Sequence, residues 1–190
     1  MGMDTHRCDW ANDNQLERIQ HNQEWGIPIH DDRLLFEILI LTSAQSGLSW
    51  TTILNKHAGY LEAFDNFEAE KIATYSEDKI QELIKDTRIV RHRLKIRATV
   101  ENAKRFLEIQ KEFGSFDQYI WSFVGANAIN NTWENASDIP TSSIESVSMS
   151  DSLRRKGFKF VGPTTCYAYM QAIGMINDYV TSPYRCKEVI

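Results

Sequence analysis

An all-α fold is what the 190-residue sequence predicts, and three observations carry that reading. Apolar residues recur at spacings of three and four, as in Ile80, Leu83 and Ile84, which places them on one helical face. Residues suited to helix N-caps stand just ahead of these stripes. Alternation of period two is absent along the chain.

Asp31 and Asp32 precede Leu34, Leu35, Phe36, Ile38, Leu39, Ile40 and Leu41, a run apolar on nearly every face. The helix they cap is therefore expected at the centre of the molecule. Ser49 caps a second helix through Trp50, Ile53 and Leu54, and Ser76 caps a third through Ile80 and Ile84. The longest predicted helix runs from about Val90 to Glu112, with Ile96, Val100, Ala103, Phe106 and Leu107 in register and Gly114 as its stop. Residues 125–150 are poor in apolar side chains and rich in Asn and Ser, which predicts a long surface loop with a turn at Ile139-Pro140. A short helix, SDSLRRK, then ends at Gly157, and Gly162-Pro163 starts the last apolar helix through Tyr167, Met170 and Ile173.

With 42% hydrophobic and 11% aromatic residues, the chain can bury the core of one compact unit spanning 1–190. A net charge of −5 excludes a histone-like coating of nucleic acid but says nothing against local basic patches. No apolar run reaches the roughly 18 to 20 residues of a membrane span, and the first ten residues are polar. A cytoplasmic protein is expected. Cys8, Cys166 and Cys186 form an odd, widely spaced set, which fits a reducing compartment better than a disulfide framework.

Two basic clusters stand out in this acidic chain. KDTRIVRHRLKIR, 85–97, holds Lys85, Arg88, Arg91, Arg93, Lys95 and Arg97 against one acid, Asp86, where a helix, a turn and a second helix meet. Arg154, Arg155, Lys156 and Lys159 form the other. Such clusters read either as solvated helix faces or as phosphate-binding surfaces; a turn and a helix N-terminus, with free N–H groups, favour the second. Trp10, Trp25 and Trp50 lie beside Gly, Asn or Ser near the break LTSAQSGLSW, 41–50. Each fits a core or rim position, and together they fit a base-stacking pocket. Cys8 and His21 are zinc-type donors, but zinc takes about four. There is no HExxH, close Cys pair, Gly-rich phosphate loop or Ser nucleophile elbow.

The strings RCDWAN, HNQEWGIP, QSGLSW, IVRHRLKI, WSFV and KGFKFVGPTTCYAYMQAIGMIND resemble, in order from about Arg7 to Asp178, the bacterial DNA-3-methyladenine glycosylase I family. The resemblance implies a two-lobed, all-helical fold of the helix–hairpin–helix DNA glycosylase superfamily, with the N- and C-terminal segments packed together in one lobe. It implies an enzyme of base excision repair that cuts the N-glycosidic bond of 3-methyladenine in double-stranded DNA, acting as a monomer and without an organic cofactor. Arg91, His92, Arg93 and Lys95 then belong to the hairpin that grips DNA, with Lys159 beside them; the hairpin's usual turn glycine is replaced by Arg88. Gln45, Gly47 and Leu48 form a wedge pushed into the duplex, and Trp10, Gln20, Trp25 and Trp50 surround the extruded base. Because methylation at N3 makes the base cationic, it leaves neutral, and a strong general acid is unnecessary.

The departures are as informative. Thr42 stands at the position of the family glutamate that binds the lesion base, and Gln20 at that of a tyrosine. A carboxylate accepting from a cationic base is worth roughly 1.5 to 3 kcal/mol, so weak, redirected or lost catalysis is expected. A non-catalytic or altered-specificity protein that binds damaged DNA is the alternative. The family zinc site pairs an N-terminal Cys and His with a C-terminal His and Cys. Cys8 and His21 match the first pair, but Tyr179 and Pro183 replace the second. Two outcomes stay open: zinc on Cys8, His21 and Cys186, with Asp178 or water as fourth donor, or an empty site closed by packing.

Overall fold

Asp31 turns the chain into the helix at the centre of the core. Its carboxylate accepts from the Leu34 N–H at 2.9 Å and caps α1, Asp32–Gln45. The computed structural model describes residues 27–180, and within them Leu35, Phe36, Leu39 and Ile40 of α1 are at most 2% exposed. A helix apolar on nearly every side is thus enclosed along most of its length, with Leu34 left exposed at its start.

Short helices α2 (Trp50–Leu54), α3 (His57–Ala63) and α4 (Ala69–Ile72) follow, then α5 (Glu77–Lys85) and the 21-residue α6 (Arg93–Phe113). Ser49 and Ser76 cap α2 and α5 as their positions predict, by accepting from Thr52 N–H and Lys79 N–H at 3.2 Å. Gly114 closes α6 at φ +90°, a conformation that a β-carbon disfavours. α7 (Phe116–Trp121), α8 (Ile144–Arg155) and α9 (Pro163–Ala172) complete the helices of the described residues, Pro163 standing at the first position of α9. No helix among these residues is long and apolar enough to cross a membrane.

Polar staples fix the helices around α1. The Asp32 carboxylate accepts from Phe116 N–H (2.9 Å), Asp117 N–H (2.8 Å) and Gln110 Nε2 (2.7 Å), so that α1 supplies acceptors for the first turn of α7 and the end of α6. The fully buried Tyr169 donates to the Leu35 carbonyl at 3.1 Å and pins α9 to α1. Between these staples, Phe106 packs on Phe36 and on Phe116, with ring centroids 4.8 and 4.6 Å apart. The described chain ends also meet: Ile29 N–H donates to Ile173 O at 3.1 Å. Gly174 leaves room there, since a β-carbon on it would stand 2.6 Å from the Pro28 nitrogen.

Three sequence expectations need correction. Helix α6 starts at Arg93, because Val90 to His92 are not helical and His92 is the N-cap. Residues 125–150 are not one loop: α8 starts at Ile144 under a Ser143–Ser146 capping box. Its inward face is partly polar, with Ser146 and Ser150 fully buried and Ser150 Oγ donating to Val161 O at 2.6 Å, so hydropathy conceals it. The fold also contains a strand pair. β1 (Ile129–Trp133) lies parallel to β2 (Ile176–Val180), with Ile129 opposite Ile176 and Trp133 opposite Val180.

The sheet is held by one carboxylate. Asp178 Oδ1 accepts from Asn131 Nδ2 (2.9 Å) and Trp133 Nε1 (2.8 Å), and Oδ2 accepts from Tyr167 OH and Gln171 Nε2, both at 2.8 Å. Asn131 and Trp133 share a face with Ile129, so the period of two exists but an asparagine carries its middle position. Replacing Asp178 by Ala strips the acceptor from four partly buried donors. Urea denaturation should show a loss of about 2 to 4 kcal/mol, the cost of leaving such groups unsatisfied; an unchanged midpoint would mean that the clamp does not stabilise the sheet.

Candidate nucleic-acid interface

The basic segment 85–97 folds as α5, a tight turn and the start of α6. Asp86 builds the turn: its Oδ1 accepts from Arg88 N–H at 2.9 Å, an Asx turn that needs no left-handed residue. Arg88 is absent from the residues with positive φ, which accounts for a hairpin closed without a glycine at this point. Its guanidinium folds back on Asp86 (Nη2 to Oδ2, 2.7 Å) and reaches Glu62. This pairing holds the Asp86 carboxyl below the usual carboxylate range.

Helix α3 carries the hairpin. A β-carbon on Gly59 would stand 2.5 Å from the Arg88 carbonyl oxygen, so only glycine admits the turn at this distance. Tyr60 OH accepts from Val90 N–H at 3.3 Å, and Lys56 Nζ donates to Thr87 O at 2.7 Å. Burial pushes the Tyr60 hydroxyl up to about 12, which keeps it a neutral partner. Arg97 pairs with Glu77 across α5 and α6 at 2.9 Å.

These contacts sort the cluster. Arg88 and Arg97 are neutralised by carboxylates, whereas Lys85, Arg91 and Arg93 are exposed and make no ion pair among the described residues. Lys95 goes inward: its Nζ donates to Ala44 O at 2.8 Å and to Ser46 O, the last carbonyls of α1. Desolvation there lowers its pKa. His92 is equally structural, its Nδ1 accepting from Lys95 N–H at 3.3 Å as the cap of α6. Of the hairpin's basic side chains, Arg91 and Arg93 are thereby left exposed and without an ion pair or a structural bond among the described residues.

The turn Gln45 to Leu48 is closed by Leu48 N–H on Gln45 O at 2.6 Å. Ser46 at φ −47°, ψ 113° and Gly47 at φ +82° follow a type II pattern, which reserves its third position for glycine. Leu48 is left 42% exposed, an apolar side chain held out on a tight turn. Trp50, half-buried, packs against the core just behind it.

A third loop, Gly157–Gly162, lies against α6 as well. The buried Asn102 brackets its backbone, accepting from Lys159 N–H at 2.8 Å and donating to Lys159 O at 3.1 Å. Phe160 adopts φ +57°, uncommon for a bulky residue, and its ring meets the His92 ring edge-on at 6.2 Å. The Lys159 side chain is exposed. Lys156, in the second basic cluster, is spent on Glu112 at 2.8 Å and on the Phe113 ring.

Thr42 lies in the last turn of α1, 4% exposed, its Oγ1 donating to Ile38 O at 2.7 Å. It offers a small polar surface and no charge. The adjacent Ser43 Oγ is buried without a partner among the described residues and lines a narrow cleft with Tyr60, Val90, Lys95 and Phe160. The nearby Glu37 carboxylate is not free to act as a base, being held by Arg33 (2.8 Å) and His57 (2.6 Å). Cys166 is inert as a nucleophile, burial pushing its thiol up to about 12.

Cys8, Trp10, Gln20, His21, Trp25, Pro183 and Cys186 lie outside the described residues. Of the zinc donors considered, Asp178 has both oxygens filled by four donors and could bind a metal only by giving them up. Tyr179 supplies neither thiolate nor imidazole, and no group of three His, Cys, Asp or Glu side chains placed to hold a metal occurs among the described residues. Sequence reasoning missed Lys56, Gly59, Tyr60 and Asn102. Only Asn102 had a readable signal, a polar residue on the apolar face of a long helix.

Residues 10–186 match the family model for methyladenine glycosylase. DNA-3-methyladenine glycosylase 1 of Escherichia coli K12 is 40% identical over 174 residues, 92% of this chain and 93% of that protein. DNA-3-methyladenine glycosylase of Haemophilus influenzae is 39% identical, covering 93% of this chain and 95% of its own length. Among solved structures, 3-methyladenine DNA glycosylase I of Staphylococcus aureus, whose structure addresses recognition of 3-methyladenine, superposes with a TM-score of 0.90 at 34% identity, over 97% of this chain and 99% of that one. Gly59→Ala tests whether the hairpin's seat matters: by overpacking it should cost about 1 to 3 kcal/mol and weaken DNA binding without removing a charge. Anisotropy titration with a short duplex, beside a thermal melt, reads both effects.

Proposed function

The chain belongs to the methyladenine glycosylase family, and on that premise we propose that it excises alkylated bases of the 3-methyladenine type from DNA by hydrolysing the N-glycosidic bond, in base excision repair. The observation that carries the reading is the convergence on α6 of an exposed Arg91–Arg93 hairpin, the Leu48 turn and the Lys159 loop. Arg91, Arg93 and Lys159 take backbone phosphates of a double strand, with His92 and Lys95 fixing the elements that present them. Gln45, Gly47 and Leu48 enter the stack and hold the duplex open, which an apolar side chain on a rigid turn is suited to do. Trp50, with Trp10, Gln20 and Trp25, encloses the extruded base.

The chemistry asks little of the protein beyond this placement. A base methylated at N3 leaves as a neutral molecule once its bond to the sugar lengthens, so extrusion, stacking and stabilisation of positive charge on the sugar supply most of the acceleration. That economy agrees with a site holding no free carboxylate among the described residues near Thr42. The protein acts as a monomer in the cytoplasm, with Cys166 kept as a buried free thiol. Two of the family's zinc ligands are replaced by Tyr179 and Pro183, which favours a site closed by packing over zinc on Cys8, His21 and Cys186, and Asp178 is already committed to four donors.

Thr42 supports a second reading, a protein that binds damaged DNA and has altered base preference or no turnover. Its hydroxyl is committed to Ile38 O and carries no charge to meet a cationic base. Single-turnover release of free base from methylated duplex DNA, with protein in excess, separates the readings. Release of 3-methyladenine is expected, slow in the native protein and raised about ten- to a hundredfold in Thr42→Glu combined with Gln20→Tyr. Binding without release, in both proteins, would overturn the enzymatic reading.

A further inference from the structure

Lys95 stands between the exposed Arg93 and the paired Arg97 on the first turns of α6, yet its half-buried ammonium is turned to main-chain carbonyls and not to a carboxylate. It donates to Ala44 O and Ser46 O, and desolvation is the influence that lowers its pKa, with no acidic side chain contributing. The last turn of α1 has no basic residue of its own. Lys95 therefore supplies, from another helix, the cation that the negative end of α1 favours. A partly desolvated ammonium that meets no carboxylate among the described residues costs more than the methionine that could fill the same space.

What the arrangement does is mechanical. Ser46 is the second residue of the turn that holds Leu48 outward, and Lys95 is two residues from Arg93. One side chain thus joins the turn to the hairpin helix. We infer that Lys95 is a positioning residue that couples grip on the DNA backbone by Arg91 and Arg93 to insertion of Leu48, so that the two elements engage DNA as one body. The inference rests on the reading of Gln45 to Leu48 as a wedge. On this account Lys95 makes no contact with phosphate, although it lies in the most basic segment of the chain.

The test separates grip from extrusion. A duplex with 2-aminopurine beside a stable abasic-site analogue reports unstacking by fluorescence, and anisotropy at several salt concentrations gives affinity and its salt slope. Lys95→Met should keep the native salt slope while the fluorescence change per bound complex falls about tenfold. Lys95→Arg, which retains donors for the same carbonyls, should recover much of that signal. Arg91→Ala with Arg93→Ala should do the reverse, lowering the slope by about two and sparing the signal per bound complex. If Lys95→Met does not fold, Lys95→Arg and Leu48→Ala decide. Combining those two should lose no more signal than Leu48→Ala alone, and additive losses would overturn the coupling. A slope lowered by about one in Lys95→Met, with the signal intact, would make Lys95 an ordinary phosphate contact and also overturn it. A native complex without any fluorescence change would sink the wedge reading itself, whereas a native signal that Lys95→Met leaves whole sinks the coupling alone.

Discussion

The placing of the turn at 45–48, the hairpin and the Gly157–Gly162 loop depends on how helix α6 meets the C-terminal end of α1. Four carbonyls at the end of any helix lack partners within it, and two of those at the end of α1 are taken by Lys95. The same helix α6 reaches the hairpin through its cap, His92, and the Gly157–Gly162 loop through Asn102. Three loops remote from one another in sequence are therefore fixed to one rigid rod: Lys95 and Asn102 bond the backbones of two, and the hairpin's His92 side chain accepts from the backbone of α6. Such bonds hold the course of the chain and leave Leu48, Arg91 and Lys159 free to point outward. Loops carry the exposed groups and a helix sets their spacing.

Basicity and DNA contact are separable in this segment. Arg88 and Arg97 serve the fold through Asp86, Glu62 and Glu77, while Arg91 and Arg93 have no such partner among the described residues. The paired arginines are exposed enough that screening makes each pair a minor contributor to stability. Their value is geometric, since a bidentate arginine on Asp86 closes the turn that glycine would otherwise permit. The pocket shows the complementary feature. Thr42 is buried and hydrogen-bonded within α1, a small uncharged group satisfied by its own helix.

Much of the helical architecture is legible in the sequence, because caps and apolar stripes are local. Asp31, Ser49, Ser76, Gly114 and Pro163 each act where they stand. The strand pair and the start of α8 are not legible, since their inward positions are filled by polar residues: Asn131 and Ser150 find partners elsewhere in the chain, on Asp178 and Val161 O, and Ser146 finds its own in the capping box with Ser143. The site divides in the same way. The exposed turn at Gly47 and the cationic hairpin are readable as chemistry, but the inward turn of Lys95 follows from α1 ending beside it, a relation between residues about fifty apart in sequence. Gly59 is silent for a like reason, its role being defined by a carbonyl on Arg88.

We propose that the turn at 45–48, the hairpin at 86–92 and the loop at 157–162 form one DNA-binding surface organised by α6. Amide hydrogen exchange on the protein, free and bound to a duplex carrying a stable abasic-site analogue, tests it most directly. The account predicts that all three segments gain protection together, with the strand and turn at 129–143 unchanged. Protection confined to one of the three, or centred on 129–143, would contradict it.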